Sequence, residues 1–265
     1  MAALFGDPAL PDGICSLNCS TEEHAVNDLI GRSFAGTPTT DPEFSVDWCL
    51  GPGLADRGSP LRAEAAAFFL SFSAARFTVR QHGYWTRGLT LAVRGDDGQL
   101  QAVCVCRKLS RAERFVDLVS ESISYHYQLM SSIVCDRIPK LFTDDALKAQ
   151  SIVVERRADV AMGQLRTMHH DHADKPHWYV GILAVDPQHQ GKGLGAKLCR
   201  AVSAMADKDG LPCYLECSGP RNQARNRAIY THLGYGEVEC YKLADPAGDG
   251  EPYEELYAMV RPAST

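Results

Sequence analysis

The feature of this 265-residue sequence that most constrains its fold is an apolar run that ends at a glycine-rich turn. The run covers residues 178–185, Asp186-Pro187 ends it, and the turn Gln188-His189-Gln190-Gly191-Lys192-Gly193-Leu194-Gly195-Ala196 follows. Apolar residues then recur at helical spacing from Leu198 to Met205, so the pattern predicts a strand, a turn and a helix. Glycines let the backbone approach a ligand closely and the N–H groups of a helix start attract anions. The unit is therefore typical of a phosphate-binding site.

Candidate strands and helices lie on both sides of this unit. Residues 89–93 and 100–106 flank the turn Asp96-Asp97-Gly98 and alternate in polarity, which predicts a β-hairpin. The other predicted strands are 14–19, 212–217, 236–243 and 255–260, and the other predicted helices are 20–34, 61–77 and 226–233. This order predicts an α/β (α+β) fold with a mixed sheet that is parallel in its middle and antiparallel at its edges.

The remaining segments define the domain organisation. We expect residues 1–13, which contain two prolines and two glycines, to be a flexible leader, and residues 14–265 to form a single domain. Residues 36–60 are rich in Thr, Pro, Asp and Gly and are predicted to be a long loop. Residues 108–175 have a mostly helical pattern and are predicted to be an insertion. Within them, His169-His170-Asp171-His172 is predicted to be a polar loop entering a strand, with a metal site as the alternative.

Composition argues against several classes of function. The formal charge of −6 argues against nucleic acid as a partner. No apolar run reaches the roughly 18–20 residues of a membrane span, and residues 1–7 lack the regions of a signal peptide. We therefore expect a cytoplasmic protein with no membrane partner. The 10 cysteines form no Cys-x-x-Cys pair, so we expect reduced, mostly buried thiols and no metal.

The turn meets one of two common phosphate-binding patterns in part and does not meet the other. The dinucleotide pattern Gly-x-Gly-x-x-Gly is met at Gly191 and Gly193, and Ala196 at the third place is tolerated there. However, the unit follows a hairpin late in the chain, and Glu216 is the only acidic residue near the ribose position of the next strand. The Walker pattern is absent, because the sequence contains no Gly-Lys-Ser/Thr.

The turn matches a different signature, Gln/Arg-x-x-Gly-x-Gly/Ala, in Gln188-His189-Gln190-Gly191-Lys192-Gly193. This segment, with residues 215–222 and with Asn226 and Tyr230 before Leu233-Gly234-Tyr235, resembles the GCN5-related N-acetyltransferases, the GNAT superfamily. The pattern is most similar to the puromycin N-acetyltransferase-like, small-molecule members of that superfamily. The resemblance covers residues 176–243.

The resemblance implies a fold and an activity. The fold is a mostly antiparallel twisted sheet whose central parallel strands splay around acetyl-CoA, with helices on both faces. The activity is transfer of an acetyl group from the cosubstrate acetyl-CoA to a primary amine of a small molecule, by direct attack in a ternary complex. Two alternatives stay open: acetylation of a protein lysine or N-terminus, and a non-catalytic, coenzyme-binding sensor module.

The resemblance also implies site residues. The expected coenzyme-binding residues are Leu183, Ala184, Val185, Gln188, Gln190, Gly191, Lys192, Gly193, Leu194, Gly195, Ala196 and Asn226. Asn222 is an alternative to Asn226, which we prefer because it precedes Tyr230 by four residues. Tyr230 matches the general acid that protonates the leaving thiolate. Glu216 is the candidate base, with a structural carboxylate as the alternative; His177, Tyr179 and His189 are weaker candidates. Cys217 is predicted to be a buried thiol rather than an acyl carrier.

Overall fold

The structure, a computed structural model, describes residues 10–17, 19–36, 44–67, 88–109, 143–219, 225–243 and 254–264. The strands are β1 Cys15–Ser16, β2 Gly88–Arg94, β3 Leu100–Leu109, β4 His177–Val185, β5 Cys213–Gly219, β6 Gly236–Leu243 and β7 Glu254–Arg261. The labelled helices are α1 Cys19–Ala35, α2 Phe44–Leu50, α3 Lys148–His172, α4 Leu194–Asp209 and α5 Arg225–His232. Residues 60–67 are also helical.

The seven strands form one sheet in the order β1-β2-β3-β4-β5-β7-β6. β4 and β5 pair in parallel, and the other neighbouring strands pair antiparallel. A parallel pair needs a crossover connection, which α4 provides between β4 and β5. The predicted mixed sheet, parallel in its middle and antiparallel at its edges, is therefore confirmed.

Helices cover both faces of the sheet. On one face, α4 packs Leu198, Val202 and Ala206 against apolar residues of β2–β5 and β7. On the other face, α1 packs against β2, β3 and β4, while α2 and α3 pack against β5, β6 and β7. Strand side chains alternate between these two cores, as the period of two requires: Leu91 and Val93 face α4, whereas Ala92 faces α1.

A β-bulge in β4 interrupts this alternation close to the site. Ile182 pairs with Val105 and Val180 pairs with Cys106, so Gly181 is the extra residue between them. Trp178 and Val180 consequently face α4 before the bulge, whereas Ile182 and Ala184 face α1 after it. The side chains of Leu183 and Val185 then face α4. The bulge thus reverses the direction of every side chain in the last part of β4.

The structure corrects the prediction that residues 36–60 form a long loop. α2 lies inside this segment and is followed by a 3₁₀ turn at Pro52–Leu54. The buried Arg62 side chain holds this segment by donating to the carbonyl oxygen of Ala35 at 2.7 Å, to that of Leu54 and to the carboxylate of Asp47. Tertiary packing therefore orders a segment whose local composition favours a loop.

The histidine-rich stretch is also not a loop. His169, His170 and His172 lie in the last turn of α3, a helix of 25 residues. Val154, Ala161 and Met168 recur every seven residues and are buried, which gives the helix one apolar face. α3 begins at Lys148, so the predicted helical pattern of residues 110–142 lies outside the described residues, as do residues 68–77 of another predicted helix.

The described residues also bear on the predicted leader, the cysteines and the question of a membrane span. Leu10, within the predicted leader, packs against the core on the α4 face, and residues 1–9 lie outside the described ranges. Cys104, Cys106, Cys199, Cys213 and Cys217 are buried free thiols, as expected. Across the described residues, no helix combines the length and the apolar character that crossing a bilayer requires.

An ion pair between α4 and β7 is expected to make the free energy of unfolding depend on pH in the acid range. Both guanidinium nitrogens of Arg261 bind the Asp207 carboxylate, at 2.8 and 2.7 Å, and this lowers the pKa of Asp207 to about 2. Because the folded-state pKa lies below the usual value of about 3.9, the pair stabilises the fold above pH 4 and loses this effect as the pH falls toward 2. We expect Asp207→Asn to lower the free energy of unfolding by about 1 kcal/mol at pH 7, after allowance for solvent screening.

Urea unfolding of both proteins at pH 7, 5 and 3 measures this effect. The difference between the wild type and Asp207→Asn should be constant from pH 7 to pH 5 and smaller at pH 3. A difference that does not change with pH would show that Asp207 acts through its packing or hydrogen bonds rather than through its charge.

Candidate active site

The centre of the sheet is open because its two parallel strands diverge. The parallel ladder joins Trp178–Val180 of β4 to Cys213–Leu215 of β5. Beyond it, β4 continues along β3, and β5 continues along β7 from Glu216 to Gly219. The bulge at Gly181 and the residue Glu216 therefore lie at the point where the strands separate. A cleft between parallel strands at their carboxyl ends is a common ligand site in α/β proteins.

The glycine-rich turn leads from the end of β4 into α4. Gly191 and Gly193 both have a φ of 77°, which favours glycine, and Gly193 is the N-cap of α4 without a side-chain cap. A Cβ added to either glycine would have no described atom within 4 Å, so the backbone faces open space. The first N–H groups of a helix have no intrahelical acceptor and carry the positive end of its dipole. Residues Leu194, Gly195 and Ala196 supply these groups.

The residues before the glycines hold the turn in place. The Asp186 carboxylate accepts from the Gln188 N–H at 2.9 Å and from Arg32 of α1 at 3.1 Å. Burial pushes the pKa of Asp186 upward, but these two partners outweigh it, so the pKa is lowered and the group is a carboxylate at neutral pH. The Gln190 side chain donates to the Val185 carbonyl oxygen at 3.4 Å. Gln188 and Gln190 thus connect the turn to the end of β4.

Backbone groups of β4 face the open cleft after the bulge. The Asp186 N–H donates to Gln101 on the β3 side, whereas the preceding Val185 N–H donates to the Ser33 hydroxyl of α1 at 3.3 Å. Because backbone direction alternates along a strand, the N–H of Leu183 points to the same edge as that of Val185, and Ala184 belongs to the β3 ladder. Of the three predicted β4 residues, Leu183 therefore offers a backbone donor on the side of the cleft, whereas the N–H of Val185 is bound to Ser33.

The Glu216 carboxylate lies on the face opposite α4, at the mouth of the cleft. Its side chain is 7% exposed, and one oxygen accepts from the Tyr179 hydroxyl at 2.8 Å. Tyr214, two residues earlier on β5, is buried on the same face. Burial, and then the negative charge of Glu216, raise the pKa of Tyr214, which therefore stays a neutral phenol. The structure thus surrounds the predicted base with two phenols.

His169 of α3 completes this group. Its ring stacks on Tyr214 with centroids 4.8 Å apart, lies 4.4 Å from the Tyr179 ring and places Nδ1 3.9 Å from the Glu216 carboxylate. Its Nε2 is 2.9 Å from Nε2 of His177, the first residue of β4. We call His169, His177, Tyr179, Tyr214 and Glu216 the Glu216 cluster.

Tyr230 lies on the other face of the sheet, in the same helix as Asn226. Both belong to α5, four residues apart and hence on one side of that helix. The Tyr230 ring makes an edge contact with Tyr235 at 5.9 Å and packs against the core that contains Leu183 and Leu194. Tyr230 therefore lies on the α4 side of the sheet, whereas Glu216 lies on the opposite side. The alternative asparagine, Asn222, lies outside the described residues.

The structure brings together some of the predicted residues and adds others. Of the weaker base candidates, His177 and Tyr179 belong to the Glu216 cluster, whereas His189 lies beside Asp186, 3.6 Å from its carboxylate. Cys217 is a buried thiol on the α4 face, 3.7 Å from the sulfur of Met259, as predicted. Sequence reasoning did not assign His169 or Tyr214 to the site. Tyr214 could have been found, because residues two apart on a strand lie on the same face and Tyr214 precedes Glu216 by two.

Among the described residues, no group of three or more His, Cys, Asp and Glu side chains is arranged to hold a metal ion. This finding includes the histidine-rich end of α3, where His172 instead binds the Glu239 carboxylate of β6 at 2.6 Å. The alternative of a metal site at that stretch therefore has no support in the described structure.

Comparison with protein families agrees with this geometry. Residues 120–235 match the model of the acetyltransferase (GNAT) family, which confirms the resemblance seen in the sequence. The match begins inside the segment predicted as an insertion and includes β4, the glycine-rich turn, α4, β5 and α5. A curated relative, an uncharacterised N-acetyltransferase of Schizosaccharomyces pombe, is 39% identical over 62 residues. These residues are 23% of this chain and 24% of the relative, so the chain spans about a quarter of that protein.

Two of the solved structures that are similar to this chain carry acetyltransferase names. Arylalkylamine N-acetyltransferase 2 from Aedes aegypti has a TM-score of 0.50 and 16% identity, with 96% of this chain and 100% of that chain covered. The ribosomal-protein-S18-alanine N-acetyltransferase from Escherichia coli has a TM-score of 0.46 and 16% identity, with 95% and 94% covered. At this identity, the first likeness shows the fold, which is the GNAT-like fold that the sequence predicted.

Proposed function

We propose that this protein is an acetyl-CoA-dependent N-acetyltransferase that transfers the acetyl group to a primary amine of a small molecule, by direct attack in a ternary complex. The observation that supports this most strongly is the arrangement at the diverging strands. A helix start without a side-chain cap lies on one face, a buried carboxylate lies on the other, and a cleft joins them. The match of residues 120–235 to the acetyltransferase family supports the same chemistry.

The glycine-rich turn and the start of α4 fit the pyrophosphate of acetyl-CoA. The positive φ values of Gly191 and Gly193 and the open space beside them allow a phosphate to approach the backbone. Lys192 adds a positive charge. The Leu183 N–H group on the cleft side suits the pantetheine arm or the thioester carbonyl. A preorganised donor at that oxygen is worth about 3 kcal/mol in the transition state.

Glu216 is the group that we assign to remove the proton of the attacking amine, directly or through water. As a carboxylate it also attracts a protonated amine to the cleft. The hydroxyl of Tyr179 donates to it and therefore orients it, while its second oxygen faces His169. A base must lie within hydrogen-bond reach of its proton or one water away, which the position of Glu216 at the cleft allows.

Tyr230 is assigned to protonate the departing thiolate. A phenol with an ordinary pKa of about 10 is a suitable donor for a thiolate whose conjugate acid has a pKa of about 8.5. Tyr230 packs against the core on the α4 face, whereas Glu216 lies on the opposite face of the sheet, so the proposed acid and base approach the cleft from different faces. This separation suits a reaction in which the amine attacks the thioester from one side and the thiolate leaves on the other.

A thiol-release assay tests this function. We expect the protein to release coenzyme A from acetyl-CoA when supplied with an accepted amine, and to release little without one. The panel contains 2-phenylethylamine, spermidine, an aminoglycoside and a lysine-containing peptide, and mass spectrometry identifies acetylated products. Turnover with the peptide alone would favour a protein acetyltransferase. Acetyl-CoA binding without turnover of any amine would favour a sensor module.

A further inference from the structure

We propose that His169 of α3 is a proton-relay residue that accepts the amine proton from Glu216 and returns it to solvent, and that His177 holds the His169 ring in the required tautomer. The inference rests on the proposed function, because it assigns a path to the proton that this reaction releases. It adds to the proposed site a residue of α3, a helix that does not belong to the unit formed by β4, the glycine-rich turn and α4.

Hydrogen-bond chemistry determines the tautomers of the two histidines. His177 Nδ1 lies 2.7 Å from the carbonyl oxygen of Lys175, which can only accept, so this nitrogen carries the proton. In neutral His177, Nε2 is then an acceptor. The 2.9 Å contact between the two Nε2 atoms consequently requires His169 to donate its Nε2 proton. His177, which is 2% exposed, thus orients His169 in the way that a buried partner orients a reactive imidazole.

This tautomer leaves Nδ1 of His169 as its basic nitrogen, and Nδ1 is the atom that faces Glu216 at 3.9 Å. The separation exceeds a hydrogen bond, and such contacts commonly shorten when substrate binds. Glu216 takes a proton from the ammonium group and becomes a carboxylic acid. It then gives that proton to His169 Nδ1, which becomes an imidazolium, and Glu216 is again a carboxylate. The proton finally leaves His169 for water.

The exposure of the two groups supports this direction of transfer. The Glu216 side chain is 7% exposed, whereas that of His169 is 19% exposed, so the histidine is the member of the pair that water reaches more easily. A buried carboxylate without such an outlet would keep its proton after each turnover. The stacked Tyr214 ring and the tilted Tyr179 ring keep the imidazole in place between Glu216 and solvent.

Other titratable and charged groups lie around His169 and bear on its protonation. His177 and Tyr179 face it from β4, and Tyr214 and Glu216 face it from β5. The buried Arg107 of β3 lies in register with Tyr179, and Glu239 of β6 raises the pKa of Tyr214 after the larger effects of burial, Glu216 and Tyr179. Of these groups, the Glu216 carboxylate is the anion that the structure places against His169 Nδ1.

The first measurement needs no substrate. The imidazole signals of the protein are followed by NMR between pH 4 and pH 9, and the signal that is missing in His169→Gln identifies His169. We expect its titration midpoint to be lower in Glu216→Gln than in the wild type, because the neutral amide no longer stabilises the imidazolium. An unchanged midpoint would overturn the coupling of His169 to Glu216, whatever reaction the protein catalyses.

The second measurement uses acetyl-CoA and the panel amine with the highest wild-type turnover. We expect His169→Gln, which can still donate to His177, to lower kcat roughly 10²-fold, the lower end of the range for acid–base groups, without changing the KM for acetyl-CoA. The acid limb of the wild-type kcat profile in the range where histidines titrate, about pH 5–8, should disappear. His169→Ala should regain activity when imidazole is added.

The matched control is His170→Gln, one residue away on the same helix turn, whose side chain is 81% exposed and contacts Asp171. Its kcat and pH profile should equal those of the wild type. If His169→Gln also keeps the wild-type kcat and acid limb, the inference is wrong while the proposed acetyl transfer stands. If the wild type turns over no amine, the proposed function fails, and with it the relay.

Discussion

Replacing Tyr230 with phenylalanine is expected to lower turnover by roughly 10²–10⁴-fold, the range typical of general acid–base groups. The substitution keeps the ring, which packs against Tyr235 and the α4-side core, and removes only the hydroxyl that would protonate the thiolate. The values of kcat and kcat/KM should fall together, because the lost interaction is made mainly in the transition state. Steady-state kinetics with an accepted amine measures both.

Two further measurements separate this role from a packing role. The thermal midpoint and the acetyl-CoA affinity of Tyr230→Phe should match those of the wild type. Tyr235→Phe removes a hydroxyl from the adjacent ring, which is buried and faces the same core, and should leave kcat unchanged. Wild-type turnover in a well-folded Tyr230→Phe protein would refute the acid role, and an equal loss in Tyr235→Phe would point to packing.

Acetyl-CoA is expected to raise the melting temperature of the wild type, and Gly193→Glu is expected to abolish that rise. A ligand that binds only the folded state at 100 times its Kd stabilises it by about 2.7 kcal/mol, or roughly 5–10 °C for a domain of this size. The glutamate side chain would occupy the open space beside the N-cap of α4 and place a negative charge where we propose that the pyrophosphate binds. Differential scanning fluorimetry with and without acetyl-CoA measures the shift.

Gly98→Glu provides a closely matched control. Gly98 lies in the turn of the β2–β3 hairpin with a φ of 78°, against 77° at Gly193, and an added Cβ there also meets no described atom within 4 Å. Both substitutions therefore add the same charge and a similar cost of about 1–2 kcal/mol for a left-handed backbone. Only Gly193→Glu should lose the acetyl-CoA shift. An undiminished shift in that variant would contradict the assignment of the coenzyme to this turn.

The elements that are determined by neighbouring residues could be predicted from the sequence. The strand, turn and helix from His177 to Asp209, and the hairpin around Gly98, follow from apolar periodicity and from glycines at positive φ. These two units account for the antiparallel pairing of β2 with β3 and the parallel pairing of β4 with β5, because a hairpin pairs its own strands and a helix crosses between β4 and β5. The place of β7 between β5 and β6 does not follow from them. The candidate coenzyme loop lies entirely inside this local unit.

Other features of the fold depend on contacts between residues that are distant in the sequence. The bulge at Gly181 arises because β3 and β4 pair in a register that leaves one extra residue in β4, and no local sequence pattern predicts it. This bulge directs the side chains of Leu183 and Val185 toward α4. α2 forms inside a segment of loop-like composition because Arg62 binds backbone carbonyl groups on both sides of it. Such contacts join residues far apart in the chain.

The sequence by itself determined the mixed sheet and the strand, glycine-rich turn and helix at its centre, since these depend on periodicity and turn chemistry. The role predicted for Tyr230 came from the family resemblance, and that of Glu216 from its place at the end of a strand. Only the tertiary structure decided which groups surround Glu216. His169 reaches Glu216 because the apolar face of α3 packs against the sheet and fixes where the last turn of the helix lies. The same stretch read in isolation is merely polar and histidine-rich, because the side chains that determine its chemistry belong to β4 and β5.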